Sequence, residues 1–382
     1  MMAASNPIYL DYNATTPLLP EVVDAVQPYL REHFGNPSSD HAYGRRAREA
    51  VECARHQVAA LIGCEDDEII FTGGVTEANN LAILGVADIS RARHKIVTTV
   101  IEHPAIAEPC LRTQRLGLQL LRAGVDSGGL IDLRDIHNMI DNHVALVTVM
   151  HANNETGVLQ PVSEISSLAH EVGALMHTDA AQSVGKVPVD VNTLGVDLLS
   201  IAAHKLYGPK GAGALYVKRG VKLMPMNVGS GQEQGLRSGT ENVASLVGFG
   251  VACEVAKRDL ESTATFLTDL RDMFWNLLAA GIPNLKLNGH PTLRLPNTLN
   301  VRFPKVSGSA LLANTPEIAA STGSACHHDG EAASSTILAM SIAPDEALGS
   351  VRLSIGRHTT RDTIIHGAEL LIRSWRTLAQ IE

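Results

Sequence analysis

The chain has 382 residues, 45% of them hydrophobic, enough to bury a large core divided over two or three domains. Its 31 Lys and Arg against 40 Asp and Glu leave a net charge of −9, which argues against bulk nucleic-acid binding. No run of about 18 apolar residues occurs, and Met1 to Pro7 lacks the basic and apolar stretches of a secretory leader, so neither a membrane span nor export is expected.

From about residue 40 to 220 strand-like and helix-like stretches alternate. Strands are expected at 68–72, 95–100, 118–122, 144–150, 174–178, 197–202 and 213–217, with amphipathic helices between several of them. Such alternation predicts an α/β fold with a mainly parallel seven-stranded sheet covered by helices on both faces. Ligands of parallel sheets bind at the carboxyl ends of the strands, so the residues at those ends carry the functional reading.

After the first strand, Gly73-Gly74-Val75-Thr76-Glu77 turns into a helix. Glycines let a backbone approach an anion, and free N–H groups at a helix start bind it with help from the helix dipole. The spacing is neither GxGxxG nor a Walker loop, so nucleotide binding is not indicated. The strand over 95–100 stops at His103, an imidazole that can shuttle protons near neutral pH or serve as an ordinary hydrogen-bonded residue.

The strand over 174–178 delivers Asp179, followed by Gln182. A carboxylate there can hold a pyridinium nitrogen protonated, or simply cap the next element. The strand over 197–202 delivers His204 and Lys205 before the turn Tyr207-Gly208-Pro209. Burying an ammonium is costly, and desolvation lowers its pKa and makes it a nucleophile. A Schiff base with pyridoxal phosphate and a snorkelling surface lysine are both open on this segment alone.

Beyond about 220 the pattern changes. A long helix is expected over roughly 241–281. Strands at 297–303 and 350–356 and a helix over 360–380 then suggest a smaller α+β unit, with the N-terminal arm packed against it. We expect a large domain over 15–255 and a small one from 1–14 and 256–382.

The five cysteines, Cys53, Cys64, Cys110, Cys253 and Cys326, are odd in number and lack ligand spacing, which suits free thiols in a reducing, cytoplasmic setting. Cys326 stands in Gly323-Ser324-Ala325-Cys326-His327-His328-Asp329-Gly330, a small and polar loop composition. A neighbouring imidazolium could raise its thiolate fraction. Metal binding by Cys326, His327, His328 and Asp329 is the rival reading, but consecutive ligands chelate poorly in a tetrahedral site, and no metal is expected.

Taken together, these segments resemble the cysteine desulfurase and selenocysteine lyase family, class-V aminotransferase-like enzymes dependent on pyridoxal 5'-phosphate. The resemblance spans nearly the whole chain. It begins at Tyr9-Leu10-Asp11-Tyr12-Asn13-Ala14-Thr15-Thr16-Pro17 and includes Phe34-Gly35-Asn36-Pro37-Ser38-Ser39. It takes in Asn153-Asn154-Glu155-Thr156-Gly157 and Arg237-Ser238-Gly239-Thr240-Glu241-Asn242. It closes at Val351-Arg352-Leu353-Ser354-Ile355-Gly356-Arg357.

The resemblance implies a fold-type I transferase with specific roles for residues of this chain. Lys205 is similar to the Schiff-base lysine, and His103 to the catalytic histidine stacked on the cofactor ring. Asp179 and Gln182 match the partners of the ring nitrogen and ring oxygen. Val75, Thr76 and His204 match phosphate contacts. Thr240 matches a threonine that reaches the phosphate from the other subunit, which implies a homodimer with shared active sites. Asn154 and Arg352 match substrate-holding residues, and Cys326 the nucleophile that carries sulfur as a persulfide to an acceptor protein.

Two departures bear on substrate. Ala202 stands where many desulfurases carry a phosphate-binding serine, and His327 directly follows the cysteine. Both features are similar to selenocysteine lyase. The resemblance thus implies L-cysteine as substrate, with L-selenocysteine the alternative and a non-catalytic scaffold the remote one.

Overall fold

The computed structural model describes residues 6–90, 92–323 and 332–380. Its centre is a seven-stranded sheet. In chain order, after a short N-terminal strand β1 (Ile8–Tyr9), the strands are β2 (Ile69–Thr72), β3 (Lys95–Thr99), β4 (Gln119–Ala123), β5 (Val144–Thr148), β6 (Leu175–Asp179), β7 (Leu198–Ala202) and β8 (Gly213–Val217). Each lies within two residues of the stretch expected from the sequence. The spatial order is β2-β8-β7-β6-β5-β3-β4. Only β8 runs against its neighbours, pairing antiparallel with both β2 and β7. The carboxyl ends of β2, β3, β5, β6 and β7 therefore point to one edge.

Every residue of β2, β5, β7 and β8 is buried. That is why these strands read as unbroken apolar runs and not as alternating ones. On one face, helix α3 (Val75–Ile89) packs through Ala78, Leu81 and Ile83 against Ile70, Leu146, Leu198 and Leu215. The preceding helices, α1 (Pro20–Arg31) and α2 (Ala42–Ile62), lie on the opposite side of the sheet from α3. There Val51, Val58 and Ile62 join Phe71, Val147, Leu199 and Ile201 in a larger core.

A second core belongs to the antiparallel strands β9 (Lys286–Leu287), β10 (Thr298–Arg302) and β12 (Ser350–Ser354), ordered β12-β10-β9, and to the C-terminal helix Arg361–Leu378. It gathers Leu299, Val301, Val351, Leu353, Ile364, Leu371 and Trp375. The N-terminal arm joins it. β1 pairs in parallel with β11 (Ile318–Ala319), and Leu10 is fully buried among these side chains.

One helix links the two cores. Val243–Gly281 has 39 residues, a rod about 58 Å long at 1.5 Å per residue. Its first half gives Leu246, Phe249, Ala252 and Cys253 to the larger core. Its second half gives Leu267, Leu270, Phe274 and Leu278 to the smaller one. No described helix is long and apolar enough to cross a membrane.

Candidate active site

Most of the residues singled out in the sequence gather where five parallel strands end and the N-terminal arm crosses them. Lys205 does not sit on the strand itself. β7 stops at Ala202, and a single 3-10 turn, Ala203–Lys205, carries the lysine to the sheet edge. Its Nζ donates to the main-chain oxygens of Asn13 at 2.6 Å and Ala14 at 2.7 Å. Burial pushes the Lys205 amine down to about 8, and the Arg352 guanidinium adds to that, against Asp179 and Asp11. A large neutral fraction near pH 8 is what a nucleophilic lysine needs.

Asp179 ends β6 and is buried. Its Oδ1 accepts from the N–H of Ala181 at 2.9 Å, and its Oδ2 from Asn79 Nδ2 on α3 at 2.8 Å. The first bond is a local turn and not a helix cap, since Ala181 to Lys186 follow as turns. Burial raises the Asp179 carboxyl, while Ala181, Asn79, His103 and Lys205 act to lower it. A cation placed against it would complete the site.

His103 follows β3 and caps helix α4 (Pro104–Thr113). Its Nδ1 accepts from the N–H of Ala105 at 3.1 Å, which leaves Nε2 to carry any proton. The residue is partly open to solvent, yet desolvation by the protein packed around the ring lowers its pKa, with Lys205 and Arg352 adding to that effect and Asp179 opposing it.

The turn after β2 is built for close approach. Gly74 adopts φ +145°, a conformation side chains rarely take. A Cβ on Gly213 would sit 2.7 Å from the Cα of Gly74. The first helical bond of α3 runs from Ala78 to Gly74, so the N–H groups of Val75 and Thr76 precede the ladder. Gly73 N–H is taken by Glu77 Oε2 at 2.7 Å, and Glu77 Oε1 holds Arg237 at 2.9 Å. A cavity of about 710 Å³ opens here, lined by Thr15, Gly74, Val75, Thr76, His204 and Lys210 among others. His204 Nδ1 lies 3.2 Å from Thr15 Oγ1, and burial with nearby lysines pushes it down to about 4. Thr76 also lines a neighbouring groove of about 970 Å³ beside His103, Glu108, Arg112 and Arg115. Ala202 is fully buried and brings no hydroxyl.

Arg352, on β12, reaches the same edge from the smaller core. Its Nη2 donates to Asp11 Oδ1 at 2.7 Å and its Nη1 to the main-chain oxygen of Asn154 at 3.1 Å. Among the described residues its buried Nε has no partner. The neighbouring Glu155 is buried, accepts the Ser334 hydroxyl at 2.5 Å, and is raised by burial. Gly323 packs directly on it, since a Cβ there would fall 2.4 Å from Glu155 Oε2. Glu155 thus touches both sides of segment 324–331. Cys326 lies outside the described residues. Thr240 is exposed and is not among the residues lining the two cavities just described.

Sequence reasoning missed two residues that the structure makes central. Asn13 is buried and joins everything. Its Nδ2 donates to Asn154 O and Thr298 Oγ1, its Oδ1 accepts from Asn297, and its main-chain oxygen accepts from both Lys205 and Gln182. The motif Asp11-Tyr12-Asn13 was its only signal. Lys186 is the second: a buried lysine whose Nζ donates to Gln182 Oε1 and to Gln182 O, both at 3.0 Å. Nothing in Gly185-Lys186-Val187 marks it as buried.

The residues present suit pyridoxal phosphate: a depressed lysine amine, a buried carboxylate in no direct ion pair among the described residues, and a glycine-lined helix start able to hold an anion. Comparison with known proteins points the same way. The family model for aminotransferase class-V matches residues 8–365. The chain is 44% identical over 369 residues to "Cysteine desulfurase IscS" of Dictyoglomus turgidum, covering 96% of this chain and 94% of that protein. It is 41% identical over 383 residues to "Cysteine desulfurase" of Mus musculus, covering 99% and 83%. Among solved structures, a "NIFS-LIKE PROTEIN" superposes with TM-score 0.90 at 33% identity, covering 98% of this chain and all of that one. "SspA in complex with cysteine" superposes with TM-score 0.82 at 32% identity, covering 92% and 99%. The chain belongs to the class-V aminotransferases, a pyridoxal-phosphate-dependent family, and within them to the cysteine desulfurases.

Proposed function

We propose that this protein removes sulfur from L-cysteine, releasing L-alanine and leaving the sulfur as a persulfide on Cys326 for an acceptor protein. The observation that carries the reading is one edge of one sheet. There a depressed Lys205 amine meets Asp179, Gln182 and His103, with Arg352 above them, in a chain closely similar to desulfurases over its whole length. A solved relative is described as "SspA in complex with cysteine", which supports cysteine as the ligand class.

Bound pyridoxal phosphate would link to Lys205 and act as the electron sink that makes the Cα proton of cysteine labile. Asp179 would hold the ring nitrogen protonated, and Gln182 would donate to the ring oxygen. The N–H of Val75, the hydroxyl of Thr76 and His204 would hold the phosphate, joined by Thr240 of the partner subunit in a homodimer. Arg352 would grip the substrate carboxylate, exchanging Asp11 for it, with Asn154 beside it. Freed Lys205 would take the Cα proton, and His103 Nε2 would move the thiol proton. The Cβ–S bond would then break as an S–S bond forms on the Cys326 thiolate. The three-carbon skeleton would gain a proton at Cβ, recover one at Cα from Lys205, and leave as alanine.

A second reading is favoured by two residues: selenium release from L-selenocysteine, suggested by Ala202 and by His327 after Cys326. The deciding experiment is a paired turnover assay on both amino acids, following alanine, with wild type and Cys326→Ala. Alanine from cysteine that vanishes in the variant supports the desulfurase. Turnover confined to selenocysteine overturns it.

A further inference from the structure

A side-chain amide can turn end for end with little steric change, so its neighbours decide which end faces a ligand. Gln182 needs such a decision, because only its N–H end can donate to a ring oxygen. Two groups surround it that could each claim its oxygen. One is Lys186, whose Nζ donates to Gln182 Oε1 and to Gln182 O at 3.0 Å each. The other is Lys205, which shares with Gln182 Nε2 the acceptor Asn13 O, at 2.6 and 3.0 Å.

We propose that Lys186 is a positioning residue for the reaction: it captures the oxygen of Gln182 and thereby keeps the Gln182 N–H groups turned toward Lys205 and the cofactor ring. The inference rests on Gln182 being the ring-oxygen partner. Several features support it. Lys186 is buried, and among the described residues it forms no ion pair with a carboxylate. A surface-type role would have left it solvated. Its bond to the main-chain oxygen fixes Nζ in place, so the contact to Oε1 is held on a rigid base. Even as a neutral amine it retains two N–H groups, enough for both oxygens. Without it, Oε1 would be a buried acceptor with no donor, beside a Lys205 Nζ that already shares the Asn13 oxygen with the other end of the amide.

The test is the visible-absorbance pH titration of the cofactor-loaded enzyme. An N–H aimed at the ring oxygen draws electron density from it and lowers the midpoint at which the lysine-linked nitrogen loses its proton. Lys186→Met should raise that midpoint by about one pH unit, a tenfold change in the proton equilibrium. Lys186→Gln, carried in parallel in case the methionine variant does not fold, should raise it too, since its amide no longer dictates which end of Gln182 it meets. In a Gln182→Leu background neither change should shift the midpoint further. An equal shift in both backgrounds would mean that Lys186 acts as a through-space charge, and no shift in either would mean that it does not act; both overturn the proposal. If Gln182→Leu alone leaves the midpoint unmoved, the reading of Gln182 fails instead, and the two failures are distinguishable.

Discussion

Gln182 Nε2 and Lys205 Nζ donate to the same main-chain oxygen, that of Asn13, although Asn13 lies 169 and 192 residues away from them in sequence. The N-terminal arm therefore holds the lysine before any ligand arrives. Because the arm is anchored in the smaller core through Leu10 and β1, the two cores are tied together at the reactive amine.

This arrangement sets a pH dependence. Lys205 is pushed down to about 8 from 10.5, so its neutral form grows as pH rises through 8, two units or so before a solvated lysine would respond. Capture of pyridoxal phosphate by the cofactor-free chain, followed by visible absorbance, should accelerate with a midpoint near 8. Arg352→Gln removes a neighbouring cation and should move that midpoint upward. A midpoint near 10 in wild type would contradict the geometry. Lys205→Ala should take up no colour.

Asp179 and Asn79 give a graded pair. Asp179→Asn removes the carboxylate proposed to face the ring nitrogen and should lower turnover by roughly 100-fold or more, the scale of losing one preorganised electrostatic group. Asn79→Leu keeps the carboxylate but removes the donor to Oδ2 at 2.8 Å, and about a tenfold loss is expected for one hydrogen bond to a charged group. Equal effects of the two substitutions in steady-state kinetics would show that the carboxylate itself is not the operative group.

The sheet was legible because its strands are buried on both faces, so each reads as an apolar run bounded by turn residues. The gathering of Gly73, His103, Asp179 and Lys205 was legible because parallel strands deliver them to one edge. What stayed hidden depends on distant pairing. Arg352 meets Asp11 across 341 residues, and no periodicity reports that contact. Lys186 looks like any lysine near a turn, since burial of an ammonium is settled by what packs over it. Asn13 acts through its backbone oxygen, which carries no residue signature at all.

The Arg352–Asp11 pair leads to a prediction about substrate. The guanidinium already holds a carboxylate at 2.7 Å, so a substrate carboxylate bound in the proposed way would exchange with it. Asp11→Asn should weaken the competitor and lower KM for cysteine. Arg352→Ala should reduce kcat/KM by on the order of 10- to 100-fold, the worth of charge-assisted hydrogen bonds. Unchanged kcat/KM in Arg352→Ala would remove Arg352 from the substrate site.

Away from the chemistry, one buried ion pair sustains the loop that leads toward Thr240. Arg55 on α2 donates through Nη1 and Nη2 to both oxygens of Glu233, at 2.9 and 2.7 Å, and also to Ile69 O at 2.7 Å. Glu233 in turn accepts the N–H of Phe71 at 2.7 Å, and the guanidinium lies 4.7 Å over the Phe71 ring. Glu233 and Gln234 adopt φ of +46° and +58°, left-handed values that only firm anchoring sustains in residues with side chains. Removing Glu233 leaves the buried guanidinium paired with Glu52 alone among the described residues, a largely exposed carboxylate at 3.3 Å, so the cost approaches the about 3–5 kcal/mol of a broken buried pair. Glu233→Ala should therefore lower denaturant stability by that amount, while the Arg55→Met, Glu233→Leu double variant should recover part of it by replacing the pair with apolar packing. A loss below about 1 kcal/mol in Glu233→Ala, the level of an exposed pair, would mean that water reaches the bridge in solution.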